Sequence, residues 1–142
     1  MKTFALSAAT VCAMTFAGTA TADNDWSMLG TWKGKAHAAV IGQPKHHEQG
    51  DGNDARFLIT EFTLVVEKEK GRNFAGYVQS KSHKEPIVGA FKADMTNGVY
   101  VDSDGIVIIK RLSKDRMEAC YTHSMAVGNG TSVASCLDYE RQ

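Results

Sequence analysis

Apolar and β-branched residues recur along the chain in short runs, and most runs are closed by Gly, Asn, Asp or Ser. Within the runs apolar and polar residues alternate, which is typical of strands that bury one face. Asn-Gly at 97–98 and Asp-Gly at 104–105 tolerate positive φ and favour tight hairpin turns. No helical period of useful length occurs. The pattern predicts eight strands, at residues 28–41, 57–68, 73–80, 86–93, 99–102, 106–112, 116–123 and 131–140.

Eight short strands joined mostly by tight turns predict an all-β fold built as one antiparallel meander. Pairing the first strand with the last would close the meander into an up-and-down barrel and remove its exposed edges. The one long connection, residues 42–56, is polar and Gly-rich and carries Pro44, His46 and His47. We therefore predict a single eight-stranded antiparallel barrel.

Alternation also assigns side chains to the two faces of each strand. Lys33 and Lys35 belong outside, so Trp32 points inward, and the same parity turns Tyr121 and His123 inward in the seventh strand. The outward positions are too mixed to reveal an apolar patch. Many inward residues are small, namely Gly34, Ala36, Ala38, Gly76, Gly89, Ala119 and Ser135. Either they leave room for a ligand, or strongly curved strands need them in order to pack around larger aromatic residues.

The first 22 residues have the pattern of a secretory signal peptide. Lys2 precedes an apolar run over 4–18, and Ala20-Thr21-Ala22 is a small-x-small cleavage site. We predict a signal peptide at 1–22, a barrel domain at 23–142, and a periplasmic or secreted location. The mature chain would have about 120 residues and a net charge near −1. That balance argues against nucleic-acid binding, which needs a basic face. No later segment approaches the roughly 18 apolar residues of a membrane span.

Cysteine usage predicts one disulfide. Of the three cysteines, Cys120 and Cys136 remain after signal cleavage, and two cysteines in an exported chain allow one intramolecular pairing. If the loop before the last strand is centred on Gly128, the two residues lie directly opposite each other on the outer face. We predict a structural staple of the last hairpin rather than a redox centre, because the C-x-x-C spacing is absent.

The stretch Leu29-Gly30-Thr31-Trp32-Lys33, together with an arginine at the end of the last strand, resembles the calycin superfamily of lipocalins, fatty-acid-binding proteins and avidins. In that superfamily the Trp of the first strand closes one end of an up-and-down barrel, and the Arg packs across it. The resemblance implies these structural roles for Trp32 and Arg141. No family ligand carries over, because the second lipocalin motif, the further tryptophans of avidins and the helical lid of fatty-acid-binding proteins are missing.

Tyr121 and His123 are the candidate ligand-binding residues. Both are expected inside the barrel, towards the open end and away from Trp32, where a few polar groups would orient a mostly apolar ligand. We predict no cofactor; the alternative is haem, with His123 as an axial ligand. The competing interpretation is a tyrosine and a histidine at a solvent-wetted rim.

No metal site is predicted from the polar segments. His46 and His47 are adjacent, and neighbouring side chains of an extended chain point to opposite sides, so both rarely reach one ion. The stretch Asp102-Ser103-Asp104-Gly105 has part of a calcium-loop pattern but lacks the remaining ligands, and a hairpin turn explains it without an ion.

The predicted function is non-catalytic binding of a small, largely apolar ligand inside the barrel, without stable membrane insertion. The alternative is a filled barrel that acts as a protein-binding or envelope-stress module through its surface and the 42–56 loop. We do not expect an enzyme, because the motifs of serine hydrolases and zinc hydrolases are absent and no cysteine remains free as a nucleophile. Catalysis by Tyr121 or His123 as acid or base is a third option.

Overall fold

The computed structural model describes residues 26–48, 54–124 and 130–142. The predicted signal peptide at 1–22 lies outside these residues, as does most of the loop around Gly128.

Eight antiparallel strands follow one another around a closed barrel, in which β1 also pairs with β8. The predicted all-β barrel is therefore confirmed. The strands are β1 (Gly30–Ile41), β2 (Arg56–Lys70), β3 (Asn73–Gln79), β4 (Lys84–Phe91), β5 (Asn97–Val101), β6 (Ile106–Arg111), β7 (Arg116–Ser124) and β8 (Ser132–Arg141). Among the described residues there is no helix long and apolar enough to span a membrane.

The register of the last hairpin places Cys120 directly opposite Cys136, and the two are joined by a disulfide across 16 positions of sequence. Cys136 is exposed and Cys120 is half-buried, so the bond lies on the outer face of the barrel. The predicted disulfide is confirmed. It links β7 to β8, which is itself the strand that closes the barrel against β1.

Trp32 and Arg141 meet at one end of the barrel, where β1 begins and β8 ends. The indole of Trp32 is fully buried, and its N–H donates to the Met28 carbonyl at 3.0 Å. The Arg141 guanidinium lies 4.1 Å from the centre of the Trp32 ring and donates to the carbonyls of Leu29 and Ser27, each at 2.5 Å. These contacts attach the segment before β1 to the last strand and close this end.

The interior is most densely packed in the half near Trp32, and a smaller cluster of buried apolar side chains lies towards the other end. Buried side chains such as Leu64, Ile109 and Met117 form one core cluster there. An inward glycine serves that packing: a Cβ at Gly89 would lie 2.2 Å from the ring of Phe74. Part of the small-residue pattern therefore reflects close packing. In the other half, Ser135 and its neighbours surround open space.

Outward side chains form two neighbouring apolar rows, which we call the apolar belt. One row crosses seven strands as Ala90, Val99, Ile108, Cys120, Cys136, His37 and Ile59, and the other as Val88, Val101, Ile106, Thr122, Ala134, Ala39 and Phe57. The side chain of Phe57 is 84% exposed and that of Ile59 is 65% exposed. The sequence pattern does not reveal this belt, because pairing register, rather than order in the sequence, decides which outward residues are neighbours.

Arg141→Lys should lower the free energy of unfolding by about 1–3 kcal/mol, because lysine cannot stack on the indole while donating to two carbonyls. Urea denaturation of the two proteins measures this difference. Arg116→Lys is the control, since Arg116 makes only exposed ion pairs with Asp138 and Glu140. Equal losses in the two variants would contradict a specific role for Arg141.

Candidate functional site

A cavity of about 120 Å³ occupies the end of the barrel opposite Trp32. Its apolar surface comes from inward side chains of several strands, among them Phe62, Val78, Val107 and Leu137. Because Ser135 of β8 is small and pairs with Ala38 on one side, this part of the interior is not filled by side chains. The barrel therefore has a preformed internal space at one end.

Residues 43–47, which we call the lid segment, follow β1 and line the cavity at its mouth. Lys45 contacts Glu85 Oε1 at 3.0 Å, and His46 Nε2 lies 3.1 Å from Glu85 Oε2. The next side chain is directed elsewhere: His47 Nδ1 is 2.8 Å from the Thr60 hydroxyl. The adjacent histidines thus have partners on different strands, and consecutive side chains attach the lid segment to both β2 and β4.

Glu85 is the centre of a charged network at the mouth. Burial alone would raise its pKa, but hydrogen bonds from Ser103, Lys45 and His46 lower the pKa to about 2. Lys45 also contacts Asp104 Oδ2 at 2.8 Å, and its hydrogen bond to Asp104 is the main cause of a raised Lys45 pKa. The network therefore stays charged over the physiological range and holds the lid segment to the β5–β6 turn.

The β5–β6 turn carries two carboxylates with different surroundings. Asp102 Oδ1 accepts from the backbone N–H groups of Asp104 at 3.1 Å and Gly105 at 2.7 Å, which is the expected hairpin-turn geometry. Burial raises the pKa of Asp102, although these two hydrogen bonds oppose the shift. Burial would also raise the pKa of Asp104, but hydrogen bonds from Lys45 and Tyr121 lower it. Hydrogen bonds therefore outweigh the effect of burial on the pKa of Asp104, but they do not outweigh it for Asp102.

Tyr121 and His123 both line the cavity, and the turn residue Asp104 positions them. The Tyr121 hydroxyl donates to Asp104 Oδ1 at 3.0 Å, and burial raises its pKa. His123 Nδ1 lies 2.5 Å from the Asp104 carbonyl, which can only accept, so Nδ1 carries the proton. Gly105 permits this arrangement, because a Cβ there would lie 2.1 Å from the Tyr121 ring. In the neutral His123 ring, Nε2 is therefore a hydrogen-bond acceptor.

Deeper in the cavity, burial raises the pKa of both Tyr100 and Tyr139, whose hydroxyls are hydrogen-bonded to each other. Both phenols therefore stay neutral. The deeper part of the cavity is therefore lined by neutral aromatic side chains. The acidic side chains and Lys45 lie at its mouth.

Sequence reasoning missed four members of the site: Lys45, Glu85, Asp102 and Asp104. One signal was available, because Glu85 shares the inward parity of Ile87 and Phe91 in β4. A charged residue at an inward position needs a partner. The sequence does not show that this partner comes from the lid segment.

The described residues contain one group that could hold a metal ion, in which ligand atoms of Glu85, Asp102 and Asp104 lie within 4.8 Å of one another. The Lys45 ammonium contacts two of these three carboxylates. The acidic group therefore already has one cationic partner, which is a side chain of the protein itself.

No protein-family model matches the chain, and no curated protein matches it. Among solved structures, the S-type phycobiliprotein lyase CPES from Guillardia theta matches with a TM-score of 0.37 and 12% sequence identity. The match covers 81% of this chain and 88% of that chain. The likeness to the calycin superfamily thus rests on the barrel itself and on the contact between Trp32 and Arg141.

The expectation that the protein is not an enzyme is contradicted by this match, since the solved structure is that of a lyase. We withdraw that expectation. The TM-score is too low to assign a reaction to this chain, and ligand binding is a step that carriers and enzymes share.

The stability of the protein should depend on pH through His47. Burial, followed by the nearby charges of His46 and Arg56, lowers the His47 pKa from 6.5 to about 4. Between these values the unfolded chain binds a proton that the folded chain does not, so stability falls as the pH falls through this window. The loss should reach at most about 3 kcal/mol and disappear in His47→Gln.

Urea denaturation from pH 7 to pH 4 measures this effect as a difference in slope between wild type and variant. His37→Gln is the matched control, because His37 is exposed on the outer face. The same pH slope in His47→Gln and wild type would show that His47 does not carry the dependence.

Proposed function

We propose that the protein is exported and binds a small, largely apolar ligand in the cavity at the open end of its barrel. The observation that carries the proposal is the cavity itself, which is apolar at its base, polar at its mouth and covered by the lid segment. Removal of apolar ligand surface from water would supply the binding energy. Tyr121 and His123 would orient the ligand, because both line the cavity and Asp104 holds both.

The volume of the cavity limits the size of the ligand. A protein cavity of about 150 Å³ accommodates benzene, so 120 Å³ suits a molecule of about that size. A larger ligand would require the lid segment to move away from Glu85 and Thr60. Haem is far larger than this space, which argues against His123 as a haem ligand with the lid segment in its present position.

The proposal of export has separate support. Disulfides persist in oxidising compartments and are rare in the cytosol, and Cys120–Cys136 is such a bond. The segment 1–22 has the order of features that secretory leaders show. Together these favour a mature chain that begins at residue 23 and lies in the periplasm or outside the cell.

Native mass spectrometry of the protein recovered from its host should show an extra mass that is absent after denaturation. Ser135→Phe should abolish this extra mass, because the new ring would occupy the cavity. Ala134→Phe is the matched control: it adds the same ring one residue away on the outer face. The denatured wild-type mass should equal that of residues 23–142 less two hydrogens.

Two results would contradict the proposal: a wild-type protein with no extra mass, or an extra mass that persists in folded Ser135→Phe. Near-ultraviolet circular dichroism reports whether each variant folds. If Ser135→Phe does not fold, Ser135→Val gives the same test with a smaller side chain and should weaken ligand retention.

The apolar belt favours a second candidate function, association with another protein. Large exposed apolar patches are unusual on monomeric proteins and often mark interaction surfaces. A photo-crosslinking residue at Phe57, which lies in the belt, should yield a discrete adduct in the host. The same residue at Glu118, an exposed position on the outer face that pairs with Lys110 and Asp138, should not. Identical crosslinking patterns at both positions would contradict this candidate.

A further inference from the structure

We propose that the ligand of this cavity is a small organic cation, an ammonium group on an apolar or aromatic body, with Asp102 as its counter-ion. The inference rests on the proposed function and adds the chemical class of the ligand. It stands on three observations: the rings that line the cavity, the charges at its mouth, and the direction in which its hydrogen-bonding groups point.

Aromatic rings surround the space. Phe62, Tyr100, Tyr121 and Tyr139 all line it. The lid segment adds the rings of His46 and His47, whose centres lie 5.5 and 5.8 Å from that of Phe62. The faces of phenylalanine and tyrosine rings carry negative charge density and attract organic cations, as they do in proteins that recognise quaternary ammonium groups. The walls of the cavity therefore suit a cation with an apolar body.

The charge at the mouth has the matching sign. Glu85, Asp102 and Asp104 are acidic, and Lys45 is the one Lys or Arg among the described residues that line the cavity. Its ammonium is already engaged, at 3.0 Å from Glu85 and 2.8 Å from Asp104. Among the lining residues that the structure describes, an anionic ligand would therefore meet net negative charge and no lysine or arginine other than the engaged Lys45.

Asp102 is the carboxylate that remains for a ligand. Its Oδ1 atom accepts two backbone N–H groups, whereas Lys45, the lysine of the cavity lining, forms its ion pairs with Glu85 and Asp104. Asp102 lines the cavity and is only partly exposed. A partly buried carboxylate without a cationic partner has lost hydration that a bound ammonium would replace.

His123 adds an acceptor to the same site. Because Nδ1 donates to the Asp104 carbonyl, Nε2 of the neutral ring presents a lone pair rather than a proton. The lone pair suits the N–H of an ammonium or the O–H of a neutral ligand, and it offers nothing to a carboxylate. The acceptor on His123 and the negative charge at the mouth thus both favour a cationic ligand with N–H donors.

Three probes of nearly equal shape test the inference: benzylamine, which is cationic at pH 7, benzyl alcohol, which is neutral, and benzoate, which is anionic. Each carries one benzene ring, about the size that the cavity accommodates, and a polar group that would lie at the mouth. Isothermal titration calorimetry on the mature, disulfide-bonded protein at low salt measures their affinities. Benzylamine should bind about tenfold more tightly than benzyl alcohol, and benzoate should bind most weakly.

Asp102→Asn should lower the affinity for benzylamine to that for benzyl alcohol and leave the alcohol unchanged. The asparagine side chain keeps an oxygen for the N–H groups of Asp104 and Gly105, so the turn should persist. Asp138→Asn is the matched control, since it removes one carboxylate from the outer face, where Asp138 pairs with Arg116. That variant should keep the preference for the amine.

The possible failures separate the two proposals. If benzyl alcohol binds and benzylamine binds no more tightly, or if benzoate binds best, the ligand class is wrong and the proposed function stands. If benzylamine keeps its advantage in Asp102→Asn, the role of Asp102 is overturned. If none of the three probes binds, the proposed function fails and this inference fails with it.

Discussion

Pairing of β1 with β8 is the constraint on which the remaining structure depends. It removes both sheet edges, so the backbone of every strand is hydrogen-bonded on two sides. The same pairing places Arg141 beside Trp32 at one end and Ser135 beside Ala38 nearer the other. One end is thereby closed by a large stacked pair, whereas the other is bordered by small side chains. The disulfide supports this arrangement indirectly, because it fixes β8 to β7 and so fixes the strand that completes the barrel.

The two halves of the interior differ for a physical reason. Near Trp32, large apolar side chains meet across the barrel and leave little space, which gives the dense packing of an ordinary core. At the other end, the strands carry tyrosines, a histidine and carboxylates, whose polar groups need partners near water. A cavity with an apolar base and a polar mouth results. A filled barrel and a ligand-binding barrel were alternatives from the sequence, and the structure combines a filled half with an open one.

The lid segment is held at the open end by a charged network around Glu85 and by packing of the His46 and His47 rings against Phe62. Lys45 and His46 converge on Glu85, and Asp104 links Lys45 to Tyr121 and His123. The residues that cover the cavity and the residues that would orient a ligand therefore share one network. Such a network is stable only when every member has its partner, since a buried charge without one is costly. Binding in the cavity and the position of the lid segment should consequently be coupled.

Local patterns in the sequence determined much of this protein. Alternation located the eight strands and put Trp32, Tyr121 and His123 inside, and turn symmetry placed Cys120 opposite Cys136. These features depend on residues close together in one strand or hairpin. Only the tertiary structure decided the path of the lid segment, which brings Lys45 to Glu85 and to Ser103, 40 and 58 positions away. It also decided the volume of the cavity and the apolar belt, because both depend on how side chains from many strands meet. Periodicity records the face on which a residue lies, whereas its neighbour across the barrel is set by register and closure.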